Sequence, residues 1–111
     1  MTNEIVQQVE KWFSENERNI SSSGLKLRIN STSATDPVRG KVEIRAETQS
    51  KIASITFWNK RDIMVLVIHK ATRLQSILDD RVMAPEENVR TLLNSYLQRI
   101  EEDDNAATFS L

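Results

Sequence analysis

The chain has 111 residues, fifteen basic against sixteen acidic, for a formal charge of −1. That length fits one domain able to bury a core without covalent staples, and the balanced charge gives no global attraction to nucleic acid or anionic lipid, so neither is expected as a partner. Cysteine is absent, which excludes a disulfide framework and thiolate metal sites; with no apolar N-terminal run either, no signal peptide or membrane span is expected, and a reducing cytoplasm is the default location.

Ile5, Val6, Val9, Trp12 and Phe13 recur at helical spacing behind Thr2 or Asn3 as a cap. They predict an amphipathic helix whose stripe lies on a sheet, with Trp12 as a core anchor. The polar run Asn16 to Ser23, with Gly24, is expected to end that helix and turn the chain. Leu25 to Asn30 then alternates strictly, the pattern of a half-buried strand with Leu25, Leu27 and Ile29 inward. Its outward Lys26 and Arg28 are expected opposite Glu43 and Glu47, in cross-strand pairs worth a few tenths to about 1 kcal/mol. Ser31 to Val38, around Asp36-Pro37, reads as a loop and carries no phosphate-cradling glycine pattern.

Ala46 to Ile68 reads as two hairpins sharing a central strand. With Gln49-Ser50 as a two-residue turn, Ala46 faces Ala53, Ile44 faces Ile55 and Val42 faces Phe57. With Lys60-Arg61 as a two-residue turn, Trp58 faces Ile63, Phe57 faces Met64, Ile55 faces Leu66 and Ala53 faces Ile68. One face then gathers Ala53, Ile55, Phe57, Met64, Leu66 and Ile68 together with Val42, Ile44 and Ala46. Neither turn has the Asn-Gly or Asp-Gly signal of a secure two-residue loop, so a longer or bulged turn stays open. The distinction matters because a one-residue slip exchanges the faces of the whole strand.

Gln75 to Val82 suits either a short helix or a fifth strand. The strand is the preferred reading, because Asp79, Asp80 and Arg81 would protect an open edge. Pro85, Glu86 and Glu87 are expected in the first turn of a final helix whose stripe is Val89, Leu92, Leu93, Tyr96, Leu97 and Ile100. Burying those six side chains is worth on the order of 10 kcal/mol before entropy is charged, so this helix must pack on the sheet. The sequence thus predicts an α+β fold: an N-terminal helix, an antiparallel β-meander of four to five strands and a C-terminal helix packed on the sheet. The domain is expected to span 1–102, followed by an acidic, frayed tail at 103–111 from which Phe109 and Leu111 can dock on an apolar patch.

Chemistry-bearing patterns are scarce. His69 is the single histidine, so multi-histidine metal sites are excluded, and the acidic runs Asp79-Asp80 and Glu101 to Asp104 lack the loop of a calcium site. No P-loop, dinucleotide fingerprint or nucleophile elbow is present. An enzyme is disfavoured, and no cofactor is expected.

The opposite face of the predicted sheet is mixed. Lys41, Glu43, Arg45 and Glu47 charge it on one strand, while Trp58, Ile63, Val65 and Val67 make it apolar on the next two. Either a helix or the C-terminal tail covers those apolar residues, or they form an interaction site, with Lys41, Arg45 and Arg61 as a basic rim suited to an acidic partner.

Ala53-Ser54-Ile55-Thr56-Phe57-Trp58, a short polar turn, the strand Ile63 to Ile68 and the Glu-rich start of a last helix together resemble the TriTu family of bacterial immunity proteins, found beside polymorphic toxins. The resemblance spans Val42 to Ile100. This chain has Asn59-Lys60-Arg61-Asp62 where that family's turn would hold Gly, and Val65 and Ile68 where acids would stand. The resemblance implies a cytoplasmic, non-catalytic protein that neutralises a cognate toxin by stoichiometric binding. The residues alone also admit a dimeric scaffold or secretion-chaperone-like protein, and base stacking on Trp58 amid Lys41, Arg45 and Arg61, which the near-neutral charge disfavours.

Overall fold

Alternating polarity in successive segments dictates strands with one buried face, and four such strands with a fifth, more exposed edge strand form a single sheet in the order β1-β2-β3-β4-β5. The computed structural model describes the backbone of residues 4–21 and 25–109, and the side chains of 4–20 and 25–101. Its elements are α1 (Ile5–Ser21), β1 (Lys26–Thr32), β2 (Lys41–Glu47), β3 (Lys51–Trp58), β4 (Asp62–His69), β5 (Gln75–Val82) and α2 (Val89–Phe109). Every neighbouring pair is antiparallel. The architecture is the expected α+β meander with five strands, and Gln75–Val82 is the edge strand.

Both helices lie on one face. Val6, Val9 and Trp12 of α1 and Val89, Leu93 and Ile100 of α2 are buried with Val42, Ile44, Ile55, Phe57, Ile63 and Val65 in one cluster. Trp12 Nε1 donates to Asn94 Oδ1 across the helix pair at 3.3 Å. Among the described residues no helix is long and apolar enough to cross a membrane.

Three boundaries differ from the sequence reading. α1 continues through Asn16 to Ser21, because Glu17, Arg18 and Asn19 form its exposed side while Ile20 resumes the core stripe. Polarity there marks a solvent face, not an end. The expected cap at Thr2 or Asn3 lies outside the described residues. α2 begins only at Val89, since Asn88 is the cap: its Oδ1 accepts the Thr91 N–H at 2.9 Å. Pro85, Glu86 and Glu87 instead form the preceding turn, closed by Glu87 N–H donating to Ala84 O at 3.0 Å. At the other end the α2 backbone runs through the acidic residues to Phe109; docking of Phe109 and Leu111 falls outside the described side chains.

The β2–β3 register is the expected one, with Ala46 opposite Ala53, Ile44 opposite Ile55 and Lys41 opposite Trp58. The β3–β4 register is not. Phe57 pairs with Ile63, Ile55 with Val65 and Ala53 with Val67, a slip of one residue from the two-residue turn. The loop holds three residues, Asn59-Lys60-Arg61, with Arg61 N–H donating to Trp58 O at 2.9 Å and Arg61 at φ 83°. A two-residue turn of the hairpin type would need positive φ at one or both central residues, whereas this bulged loop needs it only at its last. The slip turns Ile63, Val65 and Val67 into the core, at 1%, 0% and 6% exposure, and sends Met64, Leu66 and Ile68 to the other face.

Candidate interaction surface on the open sheet face

The registers place the outward side chains in four rows across the sheet. The first is Lys26, Glu47, Ile52, Ile68, Gln75; the second is Arg28, Arg45, Ser54, Leu66, Ile77; the third is Asn30, Glu43, Thr56, Met64, Asp80. The fourth runs Thr32, Lys41, Trp58 towards the Asp62–Val82 pair. Each row passes from charged or polar on β1 and β2, through Ile52, Ser54, Thr56 or Trp58 of β3, to apolar or mixed on β4 and β5. Among the described residues no element packs over this face, because both helices occupy the other one.

The apolar half is substantial. Ile68 is 38% and Ile77 63% exposed, Val82 is as open as Ile77, and Ile52, Trp58, Met64 and Leu66 are half-buried by their neighbours. A bulge on β5 helps to build it. Val65 pairs with Asp79 but Leu66 with Ile77, so Leu78 is the extra residue, and Ile77 can face outward while Asp79 faces the helices. There Asp79 Oδ2 accepts the Tyr96 hydroxyl at 2.6 Å and Arg81 Nε at 3.0 Å, and Arg81 continues to Glu87. Burial, and then this bond to Asp79, hold the Tyr96 hydroxyl well above the ordinary tyrosine range. The Arg81 hydrogen bond pulls Glu87 down to about 2. This network ties the β5 edge to α2 and faces away from the open surface.

The charged half is unevenly neutralised. Glu47 is taken by Lys70 Nζ at 2.6 Å, which chiefly lowers its pKa, with weaker contributions from Lys26 and Arg28. Glu43 accepts the Ser54 hydroxyl and stands 3.6 Å from Arg45. Of the two basic residues expected opposite Glu43 and Glu47, Lys26 faces Glu47, whereas Arg28 faces Arg45. A shallow groove of about 230 Å³ lies between Arg28, Asn30, Glu43 and Arg45.

Of the residues singled out from sequence, the structure brings Trp58, Lys41 and Arg45 onto this face. It removes Ile63, Val65 and Val67 to the core, where the helices cover them, so they are not contacts of this surface. Arg61 is a structural joint: its guanidinium donates to Ala84 O at 2.8 Å, and its carbonyl accepts Met83 N–H at 2.8 Å. The outward apolar set missed by sequence is Ile52, Met64, Leu66, Ile68 and Ile77. For Met64, Leu66 and Ile68 the missing signal was the turn length, since their face follows at once from a three-residue loop, and for Ile77 it was the β5 bulge.

The turn that sets this register is itself anchored by a buried amide. Asn59 is 8% exposed. Its Oδ1 accepts Val6 N–H at 2.9 Å, in the first turn of α1, and its Nδ2 donates to Ala34 O at 3.0 Å and Asp36 O at 2.8 Å. Gly40 makes room for it, because a Cβ there would meet the Asn59 amide and, at 2.6 Å, Asp36 O. Asp36 in turn holds its own loop by accepting Val38 and Arg39 N–H at 2.8 and 2.9 Å. Those two bonds, the one from Arg39 foremost, keep its carboxyl below the ordinary range.

Among the described residues no group of three His, Asp or Glu side chains is placed to hold a metal. No protein-family model, curated protein or solved structure matches the chain.

Proposed function

We propose that this chain is a non-catalytic binding protein that captures a partner protein on the open face of its sheet and, in keeping with its resemblance to bacterial immunity proteins, neutralises a toxin by doing so. The observation that carries the reading is the contiguous outward group of Trp58, Met64, Leu66, Ile68 and Ile77, left without a covering element among the described residues. An exposed apolar patch with a polar rim is characteristic of an interaction site, and aromatic anchors dominate the energetics of such sites.

Co-expression with the product of the neighbouring reading frame tests this reading. Trp58→Ala and Leu66→Asp each abolish protection and capture while the purified variants keep native circular dichroism and thermal transition. Full protection by both would remove this face as the binding surface. Val65→Asp is not a probe of the face, because it would bury a carboxylate at a fully buried core position and unfold the domain.

A further inference from the structure

Resting on that reading, we propose that Arg28 and Arg45 jointly clamp one carboxylate of the partner, so that the polar half of the face selects an acidic protein surface. The two residues are direct cross-strand partners, which places their Cβ atoms about 5 Å apart on one face. Like charges in that position oppose folding. The nearby acids relieve it only in part: Glu47 is engaged by Lys70 at 2.6 Å and is drawn only weakly by Arg28, and Glu43 is shared between Ser54 and a 3.6 Å ion pair with Arg45. Among the described residues Arg28 has no carboxylate within ion-pair distance.

The two arginines also flank one shallow groove together and line a second beside it. Arg28 is exposed, and the Arg45 side chain keeps 58% of its surface in solvent. Two guanidinium forks converging on a common space can each give a carboxylate paired, charge-assisted hydrogen bonds. A bound carboxylate would convert an unfavourable contact into a favourable one, and this gain exists only in the complex. The apolar columns on β4 and β5 lie two strands away in the same row, through Leu66 and Ile77. The fitting partner element therefore has acidic side chains along one edge and apolar ones along the other.

The test uses the full chain with a fluorescein-labelled oligoglutamate peptide as probe, beside a single-stranded oligothymidylate and inorganic phosphate. Oligoglutamate binds with an affinity that falls as salt rises. Arg28→Gln and Arg45→Gln each weaken it about tenfold, equivalent to about 1.4 kcal/mol, and the double variant is little weaker than either single one because both act on one group. Lys60→Gln, a turn cation already paired with Asp62 at 3.1 Å, changes nothing. Arg28→Gln also keeps or raises the melting temperature, which separates loss of binding from loss of fold. Equal loss with Lys60→Gln, no loss with the arginine variants, or tighter binding of oligothymidylate overturns the clamp. With the neighbouring frame's product, capture lost in Leu66→Asp but kept in both arginine variants overturns the clamp and leaves the surface reading standing. Capture lost in the arginine variants supports the clamp, even where Leu66→Asp still binds and the apolar half is excluded.

Discussion

Asn59 is the side chain whose loss should be felt furthest from its own position. Replacing it with Ala removes three hydrogen bonds, from Val6 N–H and to Ala34 O and Asp36 O, at a site only 8% exposed. At about 1 kcal/mol net for each bond, and more where a buried group is left unpaired, the loss is about 3 kcal/mol or above. With a urea m-value of about 1.5 kcal/mol/M, the midpoint should fall by roughly 2 M. Asn59→Asp keeps the acceptor for Val6 but aims a carboxylate at two carbonyl oxygens. Its folded-state pKa is therefore raised, and its penalty is small below the unfolded pKa and grows as pH rises through the folded one. Urea titrations at acid and neutral pH should show Asn59→Asp approaching the wild type only at the acid end. Asn30→Ala, on the exposed face, should stay within about 0.5 kcal/mol of wild type. A midpoint shift for Asn59→Ala as small as that of Asn30→Ala would refute the claim that this amide joins α1, the β1–β2 loop and the β3–β4 turn.

Arg61 combines a left-handed backbone, at φ 83°, with a hydrogen bond to Ala84 O. Arg61→Gly loses the bond but relieves about 1 kcal/mol of backbone strain, and should be close to neutral. Arg61→Ala loses the bond and keeps the strain, so it should melt about 4 °C below Arg61→Gly; equal melting points would contradict the bulged turn. Gly40→Ala must displace Asn59 or the loop carbonyls and should reproduce much of the Asn59→Ala loss in the same urea titration. Glu87 has its folded-state pKa drawn from 4.5 to about 2 by Arg81, so its stabilising effect is full above 4.5 and is lost as pH falls through about 2. Glu87→Gln should therefore differ from wild type in acid titrations at neutral pH and converge with it towards pH 2.

Most of the scaffold was legible because period-two and helical spacing report burial directly. The strict alternation from Leu25, the stripe from Val89 to Ile100 and the β2–β3 register needed no tertiary information. Polar residues misled at helix ends, where Asn16 to Ser21 continues a helix on its wet side and Glu86-Glu87 precedes one. The largest error came from a single residue of turn length. Arg61 in a left-handed conformation is rarely foreseen, since glycine is the residue that adopts it without strain. The alternatives on β4, Ile63-Val65-Val67 against Met64-Leu66-Ile68, are equally hydrophobic, so composition could not choose between them. Trp58, Lys41 and Arg45 stayed on the face because they precede the turn, whereas every apolar site residue beyond it changed sides.

Because the chain has no cysteine, single cysteines placed along β4 report each face without background. In the native protein, thiol labelling of Met64→Cys, Leu66→Cys and Ile68→Cys should be fast, while Ile63→Cys, Val65→Cys and Val67→Cys should react only on unfolding. Bound partner should then protect the reactive set alone. The opposite alternation would return Ile63, Val65 and Val67 to the surface and contradict the proposed binding face.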